Sequence, residues 1–396
     1  MPLAKNTRTN TQEPRSTTRT PIPELTGLRT IAAGLVFVGH VLEPHAAWTP
    51  LFVQFGWVGV NIFFALSGFL FTKLYMEELE QGTFSYRTYI VKRIIRIYPV
   101  TTLVLAASII GAGGVYWVDA IAHFTLVHGW FPQFRSTINA PMWTLTVEES
   151  FYLVAPVGIF LAAGLSRMWT RYTVRRDHKL IWWQFAALLI VLWVFSFALS
   201  RGLVLHYLET RLFLVNTWDN GAYTFTFLGR LSDFVAGMLA AVAMRHTVSV
   251  KQKATTISLV LGIALLFACM VFIDSVGGPV LMARHKMGIV AGHLIALASA
   301  FIIIGVQGRN PAQWLLSRRW MVLLGNASFS LYLIHFMPLP GMPQLSLSIQ
   351  MWLETTGLHP VAAWALNYAA LNVIAIGIFL LFERPTSRYL RKRAFR

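Results

Sequence analysis

The amino-acid sequence predicts an all-α membrane protein, a polytopic bundle of about ten transmembrane helices. Of its 396 residues, 56% are hydrophobic and 12% are charged, whereas a soluble domain usually carries about 25% charged residues. Apolar runs near the roughly 20 residues that span a bilayer recur along most of the chain. Lysine and arginine collect in alternate connections between these runs, as expected for a multi-pass membrane protein.

Ten apolar runs are long enough to be spanning segments. In chain order they are 25–43, 52–72, 94–111, 143–165, 181–200, 223–244, 254–273, 287–306, 320–338 and 361–382. A further apolar segment, 115–128, is short and is interrupted by His123 and His128. We expect it to be interfacial or re-entrant on the outer side, because it is too short to cross the bilayer as a helix.

The distribution of positive charge predicts the orientation. With the N-terminus assigned to the cytoplasm, 27 of the 33 lysines and arginines fall on the inner side and six on the outer side. This asymmetry predicts that both termini are cytoplasmic, and it accounts for the net charge of +17 without nucleic acid as a partner. The predicted organisation is a disordered cytoplasmic tail at 1–23, one membrane domain at 24–388 and a basic cytoplasmic tail at 389–396.

Arg29 and His40 form an ionisable pair on the first apolar segment. Eleven residues come within roughly 20° of three full turns, so both side chains share one helix face. Their Cα atoms stand about 16 Å apart along the axis. Ionisable side chains are costly in a membrane helix, which makes this pair a hypothesis for a functional site.

Arg93 and Arg96 lie three residues apart at the inner end of the third segment. Two guanidinium groups on one helix face suit a ligand that carries phosphates. The alternative interpretation is ordinary anchoring, in which both side chains extend to lipid headgroups at the inner surface.

Glu148 and Glu149 are adjacent carboxylates in the apolar fourth segment, which begins near Trp143. Neighbouring residues point about 100° apart, so the two carboxylates cannot face the same way. On the predicted topology they lie in the outer half, at the depth of His40, where a histidine and a carboxylate suit general-base catalysis. The alternative is a structural pairing with a neighbouring arginine.

Other polar positions have weaker spacing signals. Ser67 and Gly68 lie mid-helix and indicate close helix packing. A stripe at i, i+4 and i+7 contains Ser328, Tyr332 and His335. Glu383 ends the last segment, and we expect it to pair with a basic residue. No cluster of histidines or carboxylates indicates a metal ion, and the single cysteine excludes an intrachain disulfide.

Six motifs, taken in order, resemble the acyltransferase-3 family of integral membrane O-acyltransferases. They are Arg29-x10-His40, Phe64-x-x-Ser67-Gly68-Phe69, Arg93-x-x-Arg96-Ile-x-Pro99, Trp143-x-Leu-x-x-Glu148-Glu149-x-Phe-Tyr152, Ser328-x-Ser330-x-Tyr332-x-x-His335 and Glu383-x-Pro385. Each motif is weak alone, and their order carries the resemblance. It implies ten core helices and transfer of an acyl group, commonly acetyl, from cytoplasmic acyl-CoA to a hydroxyl group. The implied acceptor contains a sugar, as an envelope glycan, a glycolipid or a glycosylated metabolite does.

The resemblance also implies roles for individual residues. His40 corresponds to the family's essential histidine and would be the general base. The acidic position after the tryptophan corresponds to Glu148 or Glu149, so both are candidate catalytic residues. The basic positions suited to the CoA phosphates are Arg29, Arg93 and Arg96. The candidate substrate-binding residues are Trp143, Tyr332 and His335.

The expected partners are the lipid bilayer, acyl-CoA and a sugar or glycolipid acceptor, in the plasma membrane of a bacterium. Acyl-CoA, commonly acetyl-CoA in this family, would be a co-substrate, and no tightly bound cofactor is expected. We expect the stand-alone form of the family, without the C-terminal SGNH hydrolase-like domain of larger relatives. Position 144 is Thr where many relatives have Ser, which keeps the hydroxyl.

Two other classes of function compete with an acyltransferase. A transporter of an envelope precursor would also contain intramembrane His and Glu, but it predicts repeated halves, and the sequence has no internal repeat. A non-catalytic scaffold predicts that His40 is dispensable. Whether the acyl group passes directly to the acceptor or through an acyl-histidine, and the oligomeric state, stay open.

Overall fold

A computed structural model describes residues 22–41, 51–170, 178–200, 225–246, 252–278, 286–341 and 344–395. In this part of the chain every regular element is a helix. The α-helices are α1 (Pro23–Val41), α2 (Leu51–Gln54), α3 (Val58–Gln81), α4 (Tyr86–Gly111), α5 (Trp117–Phe124), α6 (Trp143–Thr170), α7 (His178–Ser200), α8 (Phe227–His246), α9 (Gln252–Ser275), α10 (Lys286–Gly305), α11 (Pro311–Leu316), α12 (Arg319–Ile334), α13 (Leu345–Thr355), α14 (Pro360–Ile378) and α15 (Arg384–Ala394).

Each of the ten predicted segments overlaps one of these helices. Within the described residues, six helices have the length and hydropathy to cross a membrane, so the chain is a multi-pass membrane protein. They cover Val58–Leu79, Tyr86–Gly111, Phe227–Arg245, Gln252–Ser275, Gly288–Gly305 and Pro360–Ala394. Membrane crossing by the other four segments and the cytoplasmic position of both termini stay predictions. Most of the predicted tail at 1–23 lies outside the described residues.

Several helices extend beyond the apolar runs that predicted them. α3 continues to Gln81 and ends at Gly82, whose positive φ of 71° closes the helix in the left-handed conformation. α4 begins at Tyr86, after the Ser85 hydroxyl accepts a hydrogen bond from the backbone N–H of Thr88. Helix ends follow such caps rather than the edges of apolar runs. The predicted basic tail is likewise helical as far as Ala394.

The segment 115–128 contains only the eight-residue helix α5, followed by a 3₁₀ turn at His128–Trp130. Eight residues rise about 12 Å, far less than the roughly 30 Å hydrocarbon core of a bilayer. The geometry therefore agrees with an interfacial or re-entrant segment.

Small residues allow close packing between helices that surround the later site. A Cβ added to Gly68 of α3 would lie 2.1 Å from the Phe234 carbonyl oxygen of α8, and one on Gly237 would lie 1.9 Å from that of Ala65. The predicted close packing at Gly68 is confirmed.

α1 and α12 run parallel. The Thr30 hydroxyl of α1 donates to the Met321 carbonyl near the start of α12 (2.8 Å), and His40 at the end of α1 contacts His335 at the end of α12.

A π-helical turn at Phe379–Glu383 joins α14 to α15. Pro385 follows it, and a proline has no N–H and crowds the carbonyl four residues earlier. The wider π turn accommodates this crowding. The side chain of Glu383, the last residue of the π turn, is only 1% exposed, so this turn places a carboxylate in the protein interior.

Candidate active site

One cavity lies between α1, α3, α4, α6 and α12, with about 920 Å³ of empty volume including its solvent-open part. Apolar side chains such as Val60, Phe63 and Phe64 form part of its wall. Its polar lining residues are Arg29, Ser67, Arg93, Arg96, Thr144, Glu148, Tyr152, Ser328 and Tyr332. The structure therefore brings together five of the predicted site residues: Arg29, Arg93, Arg96, Glu148 and Tyr332.

Aromatic rings hold the guanidinium group of Arg93. Its Cζ atom lies 4.4 Å from the ring centroid of Tyr152, 5.3 Å from that of Tyr89 and 5.7 Å from that of Tyr75. Cation–π contacts of this kind orient a guanidinium group without forming an ion pair with it. Arg93 is thus a fixed positive group in the cavity wall.

A buried carboxylate orients Arg96. Its Nη1 atom donates to Glu383 Oε1 at 2.8 Å, and the Ser330 hydroxyl donates to Glu383 Oε2 at 2.9 Å. The prediction that Glu383 pairs with a basic residue is confirmed. About a third of the Arg96 side chain stays exposed, so the pair fixes its position without removing it from the cavity.

Glu148 is the cavity-facing member of the glutamate pair. It accepts hydrogen bonds from the Ser67 hydroxyl (2.6 Å) and from the Tyr152 hydroxyl. It also interacts electrostatically with Arg29. Glu149 is adjacent in sequence but is not among the described cavity-lining residues, as the 100° between neighbours requires.

His40 lies at the far end of α1 from Arg29 and contacts His335 of α12. His40 Nδ1 is 3.1 Å from His335 Nε2, and the two ring centroids are 5.2 Å apart. His335 Nδ1 is 2.8 Å from the Tyr332 carbonyl oxygen. Neither histidine is among the described lining residues of the cavity. Tyr332 connects the two regions, because its ring lines the cavity and its carbonyl contacts His335.

The structure therefore separates two groups that sequence analysis placed at one depth. Glu148 lies beside the arginines, whereas the described partner of the His40 ring nitrogen is another histidine. The sequence-based depth came from counting residues from the edge of each apolar run. Such a count does not show which partners a side chain reaches, and here hydroxyl groups on α3 and α6 hold the Glu148 carboxylate.

Trp143 lies beside the cavity rather than in its described lining. Its ring meets Phe64 at 6.3 Å and Phe225 at 4.9 Å, and the Arg230 guanidinium lies 5.6 Å from its centroid. The next residue, Thr144, donates from its hydroxyl to the Tyr332 hydroxyl at 2.9 Å. Thr144 thus keeps the hydroxyl function expected at this position.

The sequence profile of the family described as "Acyltransferase domain" matches residues 22–384. The chain belongs to this acyltransferase family. The match covers all the helices that form the cavity, and the predicted family membership is confirmed.

Individual proteins that are similar in sequence to this chain are also named as acyltransferases. The chain is 26% identical to acyltransferase MdmB of Streptomyces mycarofaciens, over 94% of this chain and 93% of that protein. It is 24% identical to a Staphylococcus aureus (strain COL) protein with the provisional name O-acetyltransferase, over 80% of this chain and 50% of that protein. A shorter match of 27%, over 34% of this chain and 24% of the relative, is to peptidoglycan O-acetyltransferase OatA of Listeria monocytogenes. No solved structure matches the chain.

This acyltransferase also contains site residues that sequence analysis did not assign. Ser67 was interpreted only as a packing residue, and its hydrogen bond to Glu148 depends on a contact between α3 and α6. Arg391 lies on α15, whose Ser387 hydroxyl donates to the Ile95 carbonyl of α4 at 3.2 Å. Arg391 is one turn beyond Ser387 and interacts electrostatically with Arg93 and Arg96. No spacing signal in the sequence identifies either contact.

Two histidines outside the cavity are more buried than expected. His123 and His128 stack with ring centroids 3.9 Å apart, and both are fully buried. His123 Nδ1 lies 3.0 Å from a carboxylate oxygen of Asp119. Burial, and then the neighbouring His123, lowers the pKa of His128 to about 3. The two rings therefore pack inside the protein, between α5 and α6.

Proposed function

We propose that this membrane O-acyltransferase transfers an acyl group, most simply acetyl, from cytoplasmic acyl-CoA to a hydroxyl of a sugar-containing acceptor. The observation that carries the proposal is a cavity lined by three arginines, joined along α1 to a histidine about 16 Å away. A cationic site separated by about 16 Å from a general base suits acyl-CoA, which has a phosphorylated head group and a long thioester arm.

The arginines are the proposed site for the phosphates of CoA. Guanidinium groups bind phosphate oxygens through paired charge-assisted hydrogen bonds. Glu383 engages Arg96, Glu148 interacts electrostatically with Arg29 and Arg93, and tyrosine rings hold the Arg93 guanidinium. Three arginines and one carboxylate line the cavity, so a net positive charge stays available to an anion.

The thioester arm of the donor would extend from this cavity toward His40. In the proposed step, His40 removes the proton from the acceptor hydroxyl while that oxygen attacks the thioester carbonyl. The new C–O bond forms, the C–S bond breaks, and the proton on His40 passes to the departing thiolate. A neutral imidazole has one unprotonated ring nitrogen, which is the form that can accept the hydroxyl proton.

Glu148 is proposed to act on the donor side of this reaction. It accepts from Ser67 and Tyr152, and Tyr152 presents its ring face to Arg93. This chain of contacts couples the carboxylate to the position of the phosphate-binding arginine. The proposal thus assigns the general base to His40 alone and gives Glu148 a role in shaping the donor site.

The sugar-containing acceptor is proposed from the chemistry named in one relative and from the position of His40. OatA is named for O-acetylation of peptidoglycan, a glycan polymer. His40 lies at the end of α1 with part of its surface accessible, where a polar acceptor can approach without crossing the bundle. The ring of Trp143 is half-buried beside the cavity, and an aromatic ring face suits a sugar surface.

The test is acyl transfer from radiolabelled acetyl-CoA in membranes that contain wild type, His40→Ala or the control His359→Asn. His359 caps α14 at a distant exposed site, and asparagine retains the capping ability. We expect label in extracted glycans or glycolipids with wild type and the control, and at least a hundredfold less with His40→Ala. Equal label with His40→Ala would remove His40 from the mechanism. Absence of transfer across acyl-CoAs of increasing chain length would contradict the donor assignment.

A further inference from the structure

The protonation state of His335 follows from its surroundings. His335 is 2% exposed, and its Nδ1 atom lies 2.8 Å from the Tyr332 carbonyl oxygen. A carbonyl oxygen only accepts hydrogen bonds, so Nδ1 must carry the proton. A neutral imidazole with a proton on Nδ1 has a lone pair on Nε2. His335 therefore presents an acceptor, and not a donor, to whatever lies next to Nε2.

The group next to His335 Nε2 is Nδ1 of His40, at 3.1 Å, and the backbone of Val36 also hydrogen-bonds the His40 ring. For this contact to be a hydrogen bond, His40 Nδ1 must be the donor. Neutral His40 then has its proton on Nδ1 and an unprotonated Nε2, which is the form that can act as a general base.

We propose that His335 is a positioning residue that holds His40 in this tautomer and orients its ring for proton abstraction. The inference rests on the proposed function, in which His40 is the base. The order of groups is Tyr332 carbonyl, His335, His40, and then the acceptor hydroxyl. The first two are buried at the C-terminal end of α12, where His335 is the capping residue. The orientation of a base at the end of α1 is therefore set by the neighbouring parallel helix.

A neutral orienting partner suits this site. A carboxylate in the position of His335 would have to be buried with its charge at a site that is almost fully inaccessible to solvent, which is expensive. Histidine accepts from His40 Nδ1 in both states of the base, since the imidazolium form of His40 still carries the Nδ1 proton. The contact therefore persists while His40 gains and loses the proton on Nε2.

The geometry argues against direct substrate binding by His335, the role that the sequence suggested. Both ring nitrogens are engaged by protein groups, and the ring packs against Phe37 (6.3 Å) and Phe336 (5.9 Å). A residue with 2% exposure has no free polar atom to offer an acceptor sugar.

The chain contains a matched control for a buried histidine. His293 of α10 is also 2% exposed, its Nδ1 lies 2.8 Å from the Ile289 carbonyl, and its Nε2 lies 3.1 Å from the Ser196 hydroxyl. It has the same pattern of one carbonyl partner and one neighbouring side chain, but it does not contact His40 or line the cavity. Replacing it removes equivalent hydrogen bonds away from the proposed site.

The experiment compares full-length wild type, His335→Leu, His335→Gln and His293→Leu in membranes. It measures kcat, the KM for acetyl-CoA and for the acceptor, and the thermal unfolding midpoint. We expect His335→Leu to lower kcat roughly a hundredfold, a share typical of general acid–base catalysis, with both KM values within about twofold of wild type. His335→Gln should recover about a tenth or more of the wild-type kcat, because its amide oxygen can accept from His40 Nδ1. His293→Leu should leave kcat unchanged.

Other outcomes overturn the inference in distinguishable ways. A raised acceptor KM with unchanged kcat would mean that His335 binds substrate. A structural role would give a different pattern: His335→Leu and His293→Leu would lose the same kcat. That loss would follow the fall in unfolding midpoint, and His335→Gln would not recover it. Full activity of His335→Leu, with His40→Ala inactive, would reject the positioning role and leave the proposed function intact. Full activity of His40→Ala would reject the proposed function itself.

Discussion

At the scale of single residues, positive charge in excess of local negative charge marks the proposed donor end of the site. Arg29, Arg93 and Arg96 could be identified from the sequence, because charged side chains on membrane helices are energetically costly and usually functional. Arg391 gave no such signal, since basic residues after the last membrane helix are what any cytoplasmic end contains. Only the contact between α15 and α4 reveals that Arg391 lies beside the cavity arginines.

Replacement of Arg391 tests this residue-scale argument. We expect Arg391→Gln to raise the KM for acyl-CoA roughly three- to tenfold with little change in kcat, because one exposed cation near the phosphates is lost. The control is Arg393→Gln on the same helix, where the guanidinium instead lies 5.2 Å from the ring centroid of Tyr389. Steady-state kinetics at constant ionic strength provides the measurement. Equal KM changes in both variants would indicate a general surface-charge effect rather than a phosphate contact.

At the scale of helices, the sequence predicted which segments are helical better than where they begin and end. Apolar runs report burial and lipid contact, and each of the ten predicted runs overlaps a helix in the described part of the chain. They did not show the polar turns at the end of α3 and the start of α4, which are held by a glycine cap and a serine cap. The π turn before Pro385 was also invisible, because it arises from a steric conflict between backbone atoms and has no apolar signature.

The crossing of α3 and α8 provides a prediction at this scale. Gly68→Ala should destabilise the fold by roughly 1–3 kcal/mol, as overpacking usually does, because its Cβ would lie 2.1 Å from a backbone oxygen that cannot move alone. Since Ser67 precedes it and bonds Glu148, activity should fall as well. The control Gly377→Ala has no atom within 4 Å of the added Cβ and should be neutral or slightly stabilising. Thermal unfolding in detergent measures both, and an unchanged midpoint for Gly68→Ala would contradict the tight crossing.

At the scale of the whole molecule, the distribution of basic residues in the sequence predicts how the protein is oriented across the membrane. The 27 to six division of basic residues predicts that the arginine-lined cavity opens toward the cytoplasm, where acyl-CoA is made available, and that His40 lies toward the outer side. The same charge count would be much poorer if 115–128 crossed the membrane, and the eight-residue helix α5 argues against such a crossing.

Single-cysteine labelling tests this orientation directly. Cys269 is the one cysteine and is buried, so Cys269→Ala gives a background without thiols into which Ser16→Cys, Gln133→Cys or Ala394→Cys is introduced. With a membrane-impermeant maleimide we expect Gln133→Cys to react in intact spheroplasts, and the two terminal positions to react only after permeabilisation. If 115–128 crossed the membrane, Gln133→Cys would be protected and Ala394→Cys would react in intact cells. Reaction of both termini in intact cells would invert the predicted topology and place the arginine cavity on the side away from acyl-CoA.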